Sequence, residues 1–255
     1  ETCKDAGIDY FTSLYNPGML ADLSPHSCAW KVGSGDITWH DMIETLAADG
    51  KPILIATGAS SMEEVRGAME VARRHTNDIV LMQCNTNYTG STDNFAFIEL
   101  NVLKSYARKF PDAILGLSDH TPGHTTVLGA VALGARVIEK HFTDDNTREG
   151  SDHPFSMTPQ SWKEMVERTR ELEAALGSED KRVMENERET IIVQRRSIRA
   201  SRPIAAGSLI TEEDLVMLRP CPREALPPYR AAELIGKTAN KDIREGECVL
   251  ADDAE

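Results

Sequence analysis

His120 and His141 are the residues of this 255-residue chain whose type and spacing most directly suggest chemistry. The apolar run Ala113–Ser118 leads to His120, and the run Ala135–Glu139 leads to His141. Between them Thr125–Leu133 is rich in small and aliphatic residues and is long enough for one helix. The pattern predicts strand, helix, strand, with an imidazole at the carboxyl end of each strand. Parallel strands joined by a helix lie side by side with their ends level, so both rings are expected to reach one ion or one substrate. Period-two alternation sets Gly116, Ser118 and His120 on one face of the first strand, and Glu139 and His141 on one face of the second.

Each of these residues also has a plainer reading. The two histidines could be ordinary hydrogen-bonded side chains. Lys140 suggests a Schiff-base nucleophile, but alternation turns it away from the face shared by Glu139 and His141, which favours a structural role. Lys31, just before the Gly33-Ser34-Gly35 turn, is either a snorkelling lysine or an anion contact, and the glycine-rich turn favours binding. Asp119 and Thr121 could cap the following helix. Arg148 is either in a loop ion pair near Asp152 or a phosphate contact. His26, His40, His75 and His124 have no supporting context, while His153 sits in the loop with Asp152.

The elements that must position these groups recur along the chain. Six apolar runs are predicted as strands: 9–13, 29–32, 52–56, 79–84, 113–117 and 136–139. Helical segments at 39–49, 61–75, 95–110, 126–134 and 159–176 alternate with them. Alternating strand and helix argues for a parallel sheet with helices outside. A doubly wound sheet and a (β/α)₈ barrel both fit. The only candidate nucleotide loop, Gly33-Ser34-Gly35, lacks the third glycine of GxGxxG. In barrels the functional residues gather in the loops after the strands, where this chain keeps its polar residues. Six units are visible, so a barrel would lack its first two. After Gly177 the texture changes to a charged connector and then a small, mostly β domain of about 60 residues, near the lower limit for independent folding. Within it RPIAAGSL (202–209) and KDIREGECV (241–249) echo each other, each with a glycine turn leading to a short strand.

Lys and Arg number 28 against 41 Asp and Glu, a net charge of −13, which argues against non-specific nucleic-acid or anionic-membrane binding. No apolar run approaches the roughly 20 residues of a membrane span. The five cysteines are scattered, odd in number and without a CxxC pair, as expected for reduced thiols in a cytoplasmic protein. The chain opens on Glu-Thr-Cys-Lys-Asp without a methionine and is expected to lack an amino-terminal part.

KVGSGD (31–36), ATG (56–58), GLSDHT (116–121), IEKHFT (138–143) and DHPFSMTP (152–159) together resemble the sialic acid synthase family. The carboxyl-terminal part resembles the SAF, or antifreeze-like, domain fused to those enzymes. The resemblance implies a (β/α)₈ barrel over residues 1–180 without its first two βα units, a linker at 181–194, and a SAF (β-clip) domain at 195–255. It implies condensation of phosphoenolpyruvate with N-acetylmannosamine or a related amino sugar to a sialic-type acid and phosphate, with legionaminic or pseudaminic acid as related products. A non-catalytic homologue that only binds sugar or phosphate is the alternative. A divalent metal, Mn²⁺ or else Mg²⁺ or Co²⁺, is implied at His120 and His141. Two nitrogens and open positions suit Mn²⁺ better than a closed zinc site. Lys31, Ser34 and Ser118 are implied substrate contacts, as are Tyr88 and Asp152; the family asparagine falls on Asn85 or Asn87. Glu139 is a candidate for handling a proton or orienting a ligand. A family serine is Ala56 here. Arg219 keeps the Arg-Pro of a SAF loop that, in the family, reaches the partner's site in a domain-swapped homodimer.

Overall fold

The computed structural model describes all 255 residues, which divide into two compact units, Glu1–Gly177 and Ser178–Glu255. The first contains, in order, α1 Thr2–Asp5, β1 Thr12–Ser13, α2 Leu20–Leu23, β2 Trp30–Val32, α3 His40–Ala48, β3 Ile53–Ala56, α4 Met62–Arg73, β4 Ile79–Cys84, α5 Val102–Lys109, β5 Ile114–Asp119, α6 Thr125–Ala132, β6 Val137–Lys140 and α7 Pro159–Leu176. Every neighbouring pair of strands is parallel, and the sheet runs β1 to β6 in chain order. A doubly wound sheet needs a point where the strand order reverses. None exists here, so the two alternatives left by the sequence resolve to the singly wound progression of a (β/α) barrel.

The strands form because parallel strands covered on both faces read as continuous apolar runs. Every residue of β2, β3 and β4 is buried. The helices present apolar residues at helical spacing: Met42, Ile43, Leu46 and Ala47 on α3, and Val65, Ala68, Met69 and Ala72 on α4, join Trp30, Ile53, Ile55, Leu81 and Leu117 in one core. A capping box at Ser61 and Glu64 starts α4, and another at Thr158 and Ser161 starts α7. Within β5, Gly116 lies where a Cβ would come within 2.9 Å of Met82, so no larger residue fits that layer.

Two elements depart from the sequence-based expectation. The first run shortens to Thr12–Ser13, with Tyr10 and Phe11 left exposed. The single helix expected over 95–110 is instead a 3₁₀ segment, Thr92–Phe97, then a break at Glu99 (φ 51°), then α5. Glu99 takes a conformation that side chains with a Cβ rarely adopt.

In the second unit, α8 Arg188–Gln194 precedes β7 Ser197–Ala200 and β8 Leu215–Leu218, which pair antiparallel. The two echoing phrases pair with each other: Ile204 and Ile243 exchange both backbone hydrogen bonds, at 2.9 and 2.8 Å. This unit has its own core of Ile198, Ile204, Ile210, Leu226, Leu234, Ile243 and Val249.

Candidate active site

The carboxyl ends of β5 and β6 carry the two imidazoles, and their ring centroids are 5.1 Å apart. Alternation has the expected effect: His120 and His141 meet on one side, while Asp119 and Lys140, one residue earlier on each strand, meet on the other at 2.7 Å. His120 is buried, and its Nδ1 lies 2.8 Å from the Asn85 carbonyl. A carbonyl only accepts, so Nδ1 carries the hydrogen and Nε2 keeps its lone pair in the neutral ring. Burial pushes the His120 pKa down, partly opposed by the Asn85 hydrogen bond. His141 Nδ1 faces the Asp152 carboxylate, 3.3 Å from its Oδ2. Its backbone carbonyl accepts from Met157 N at 2.7 Å, and this brings Phe155 against the ring at 5.1 Å. Tyr88 lies on His120 at 4.3 Å and is 5.8 Å from His141.

Along the same strand ends, Lys31 Nζ is 3.2 Å from Glu139 Oε2. That carboxylate oxygen is buried yet receives no aligned hydrogen bond from any neighbour. Ser34 Oγ accepts from Gly58 N at 2.9 Å and so ties the KVGSGD turn to the ATG turn. Cys84 packs beside Ser34 and Ser118, and burial raises its thiol pKa. Thr86 Oγ1 is buried there without a hydrogen-bond partner. A concavity of this unit lined by Lys4, Ile8, Tyr10, Pro25, His26 and Cys28, among others, holds none of these side chains.

A model of the NeuB family matches residues 1–181, and one of the SAF domain matches residues 195–255. The chain belongs to the NeuB family. An N,N'-diacetyllegionaminic acid synthase of Legionella pneumophila is 33% identical over 256 residues, covering 98% of this chain and 70% of that protein. A pseudaminic acid synthase of Campylobacter jejuni is 33% identical over 261 residues, covering 99% and 72%. An uncharacterized protein of Methanocaldococcus jannaschii is 35% identical, but the chain spans only 65% of its length. Among solved structures, a spore coat polysaccharide biosynthesis protein of Bacillus subtilis aligns with a TM-score of 0.63 and 29% identity, over 99% of this chain and 75% of that one.

Within this NeuB chain the remaining expected site residues fall into place unevenly. Ser118 is buried at the end of β5, in register with Glu139. Asn85 contributes its carbonyl to His120, but its side-chain amide donates to Phe97 O at 3.1 Å. Asn87 Oδ1 accepts from Thr89 and Asn94 within the loop. Both candidate asparagines therefore spend side-chain polar atoms on loop structure. Arg148 pairs with Asp144 at 2.7 Å, not with Asp152. Asp119 accepts from Thr121 and Thr126 side chains rather than capping the backbone of α6. Lys140 donates to Asp119, Thr121 O and Gly123 O, so all its protons are engaged and a Schiff-base role has no free amine. Arg219 belongs to the second unit, where its Nε donates to Gln194 O. Phe155 and the Asn85 carbonyl escaped the sequence reading, and only the DHPFSMTP motif hinted at the former.

The donor set fits the divalent metal the family implies. The Asn85 bond anchors Nδ1 of His120 and leaves its Nε2 lone pair, His141 stands beside it with Nδ1 toward Asp152, and Glu139 Oε2 is buried without a hydrogen-bond partner.

Proposed function

We propose that this chain carries the condensing site of a metal-assisted synthase. Phosphoenolpyruvate, N-acetylmannosamine or a related N-acyl amino sugar, and water would give a sialic-type keto acid and phosphate. The supporting observation is the imidazole pair, 5.1 Å apart at the carboxyl edge of the sheet and bordered by the Lys31–Glu139 ion pair. The names of the relatives, which make legionaminic and pseudaminic acids, point the same way.

His120 and His141 would hold Mn²⁺, Mg²⁺ or Co²⁺, which supplies Lewis-acid polarisation of the sugar aldehyde. The chain's own residues do the rest. Lys31 offers the positive charge that an anionic substrate needs against a net charge of −13. In the free chain that charge is spent on Glu139, so a substrate phosphate or carboxylate must displace it. Glu139 is thereby released as a base able to take a proton from the water that attacks C2 before phosphate leaves. Ser34 and Ser118 line the anion side, Tyr88 and Asp152 the sugar side. Arg219 of the partner subunit would complete the site in a homodimer.

The test is phosphate release by the protein with Mn²⁺, phosphoenolpyruvate and each candidate amino sugar. Sugar-dependent phosphate is expected, and its absence with every sugar overturns the reading. A non-catalytic homologue is the second reading. It rests on Ala56, buried in β3 where the family resemblance implies a hydroxyl. Mn²⁺ binding without turnover would establish it.

A further inference from the structure

Directly behind the imidazoles lies a buried ion pair that the proposed chemistry does not use. The Asp119 and Lys140 side chains are 0% and 1% exposed. Asp119 also accepts from Thr121 N, Thr121 Oγ1 and Thr126 Oγ1, and Lys140 also donates to the Thr121 and Gly123 carbonyls. A buried pair of this kind adds little stability over apolar residues of the same volume, because both charges lose their hydration. Its position is more informative. Asp119 and Lys140 are register partners across β5 and β6, and each immediately precedes an imidazole. β6 is four residues long. A strand this short offers few side chains whose burial could fix its register. A slip of one residue would turn His141 to the back of the sheet and bring Lys140 to the front.

We infer that the Asp119–Lys140 pair, with Thr126, is a register lock: it holds β6 against β5 so that His120 and His141 face the same side. These are positioning residues, and their use in the reaction rests on the proposed metal-assisted reading.

The experiment compares the full chain with the double variant Asp119→Leu/Lys140→Met, which replaces the pair by apolar residues. Two readouts are taken beside the melting temperature: Mn²⁺ affinity by electron paramagnetic resonance, and the nuclear Overhauser effect between the two labelled histidine rings. The variant is expected to melt near the parent, to bind Mn²⁺ at least tenfold more weakly, and to lose the ring-to-ring signal. A folded variant with parental affinity and an intact ring signal overturns the inference. If the parent binds no Mn²⁺, the proposed function fails, and the ring signal still decides the lock. Should the double variant not fold, Thr126→Val removes one donor and keeps the pair. It is then expected to weaken Mn²⁺ binding, or the ring signal, severalfold, and parental values for both would reduce the pair to a stability element.

Discussion

His120 spends its Nδ1–H on a backbone carbonyl, and that bond decides which nitrogen faces the substrate. Burial lowers its pKa, so the neutral, ligand-competent ring persists as pH falls past the ordinary histidine value of about 6.5. A histidine titration followed by magnetic resonance should therefore place the His120 midpoint below 6.5, and a midpoint at or above that value would contradict the burial argument. Lys31 gives a second prediction. Lys31→Met should weaken phosphoenolpyruvate binding by about tenfold or more, as expected for losing a charge-assisted contact, with little change in melting temperature. Calorimetric titration reads the first quantity and thermal unfolding the second. The histidines were legible in the sequence because alternation is strict in a strand. The Lys31–Glu139 pair and the Asn85 carbonyl were not, because a partner brought close only by the sheet leaves no local signal.

The loops between elements carry the next set of constraints. Gly58 lies where a Cβ would meet Thr86 Oγ1 at 2.2 Å and Ser34 Oγ at 2.8 Å. Gly58→Ala should therefore displace the ends of β2 and β4 together, with activity falling far more than helix content by circular dichroism. Ser61→Ala removes the side-chain cap of α4 and should cost about 1 kcal/mol in chemical unfolding. Here the sequence was a good guide: five of six strands lie within two residues of the expected apolar runs, and α7 spans the expected 159–176. It failed at Glu99, whose positive φ splits the expected long helix, because a non-glycine residue in that conformation carries no compositional mark. The apolar run marked 113–117 as strand, and the ladder carries on through Ser118 and Asp119, which pair with Glu139 and Lys140.

At the scale of the molecule, the two units differ in how acid should affect them. Asp214, in the second unit, accepts from the Thr211 hydroxyl and amide and from Arg202, and these bonds lower its pKa to about 2. Because the folded value lies below the unfolded one, the stabilisation is complete above pH 4 and disappears as pH falls toward 2. The shift corresponds to on the order of 2 kcal/mol. Asp214→Asn should thus destabilise the second unit at pH 7 and make little difference at pH 2, as followed by unfolding of the parent and the variant at both pH values. The membership of both units was readable from their motifs. No helix is long and apolar enough to cross a membrane.

Because these six strands stand in the sheet in the order they leave the ribosome, each of β2 to β6 docks onto the strand made just before it. Chain-closure entropy is then spent in small, similar instalments. Amide protons should exchange most slowly in β3 and β4, which have partners on both sides and complete burial, and fastest in the two-residue β1.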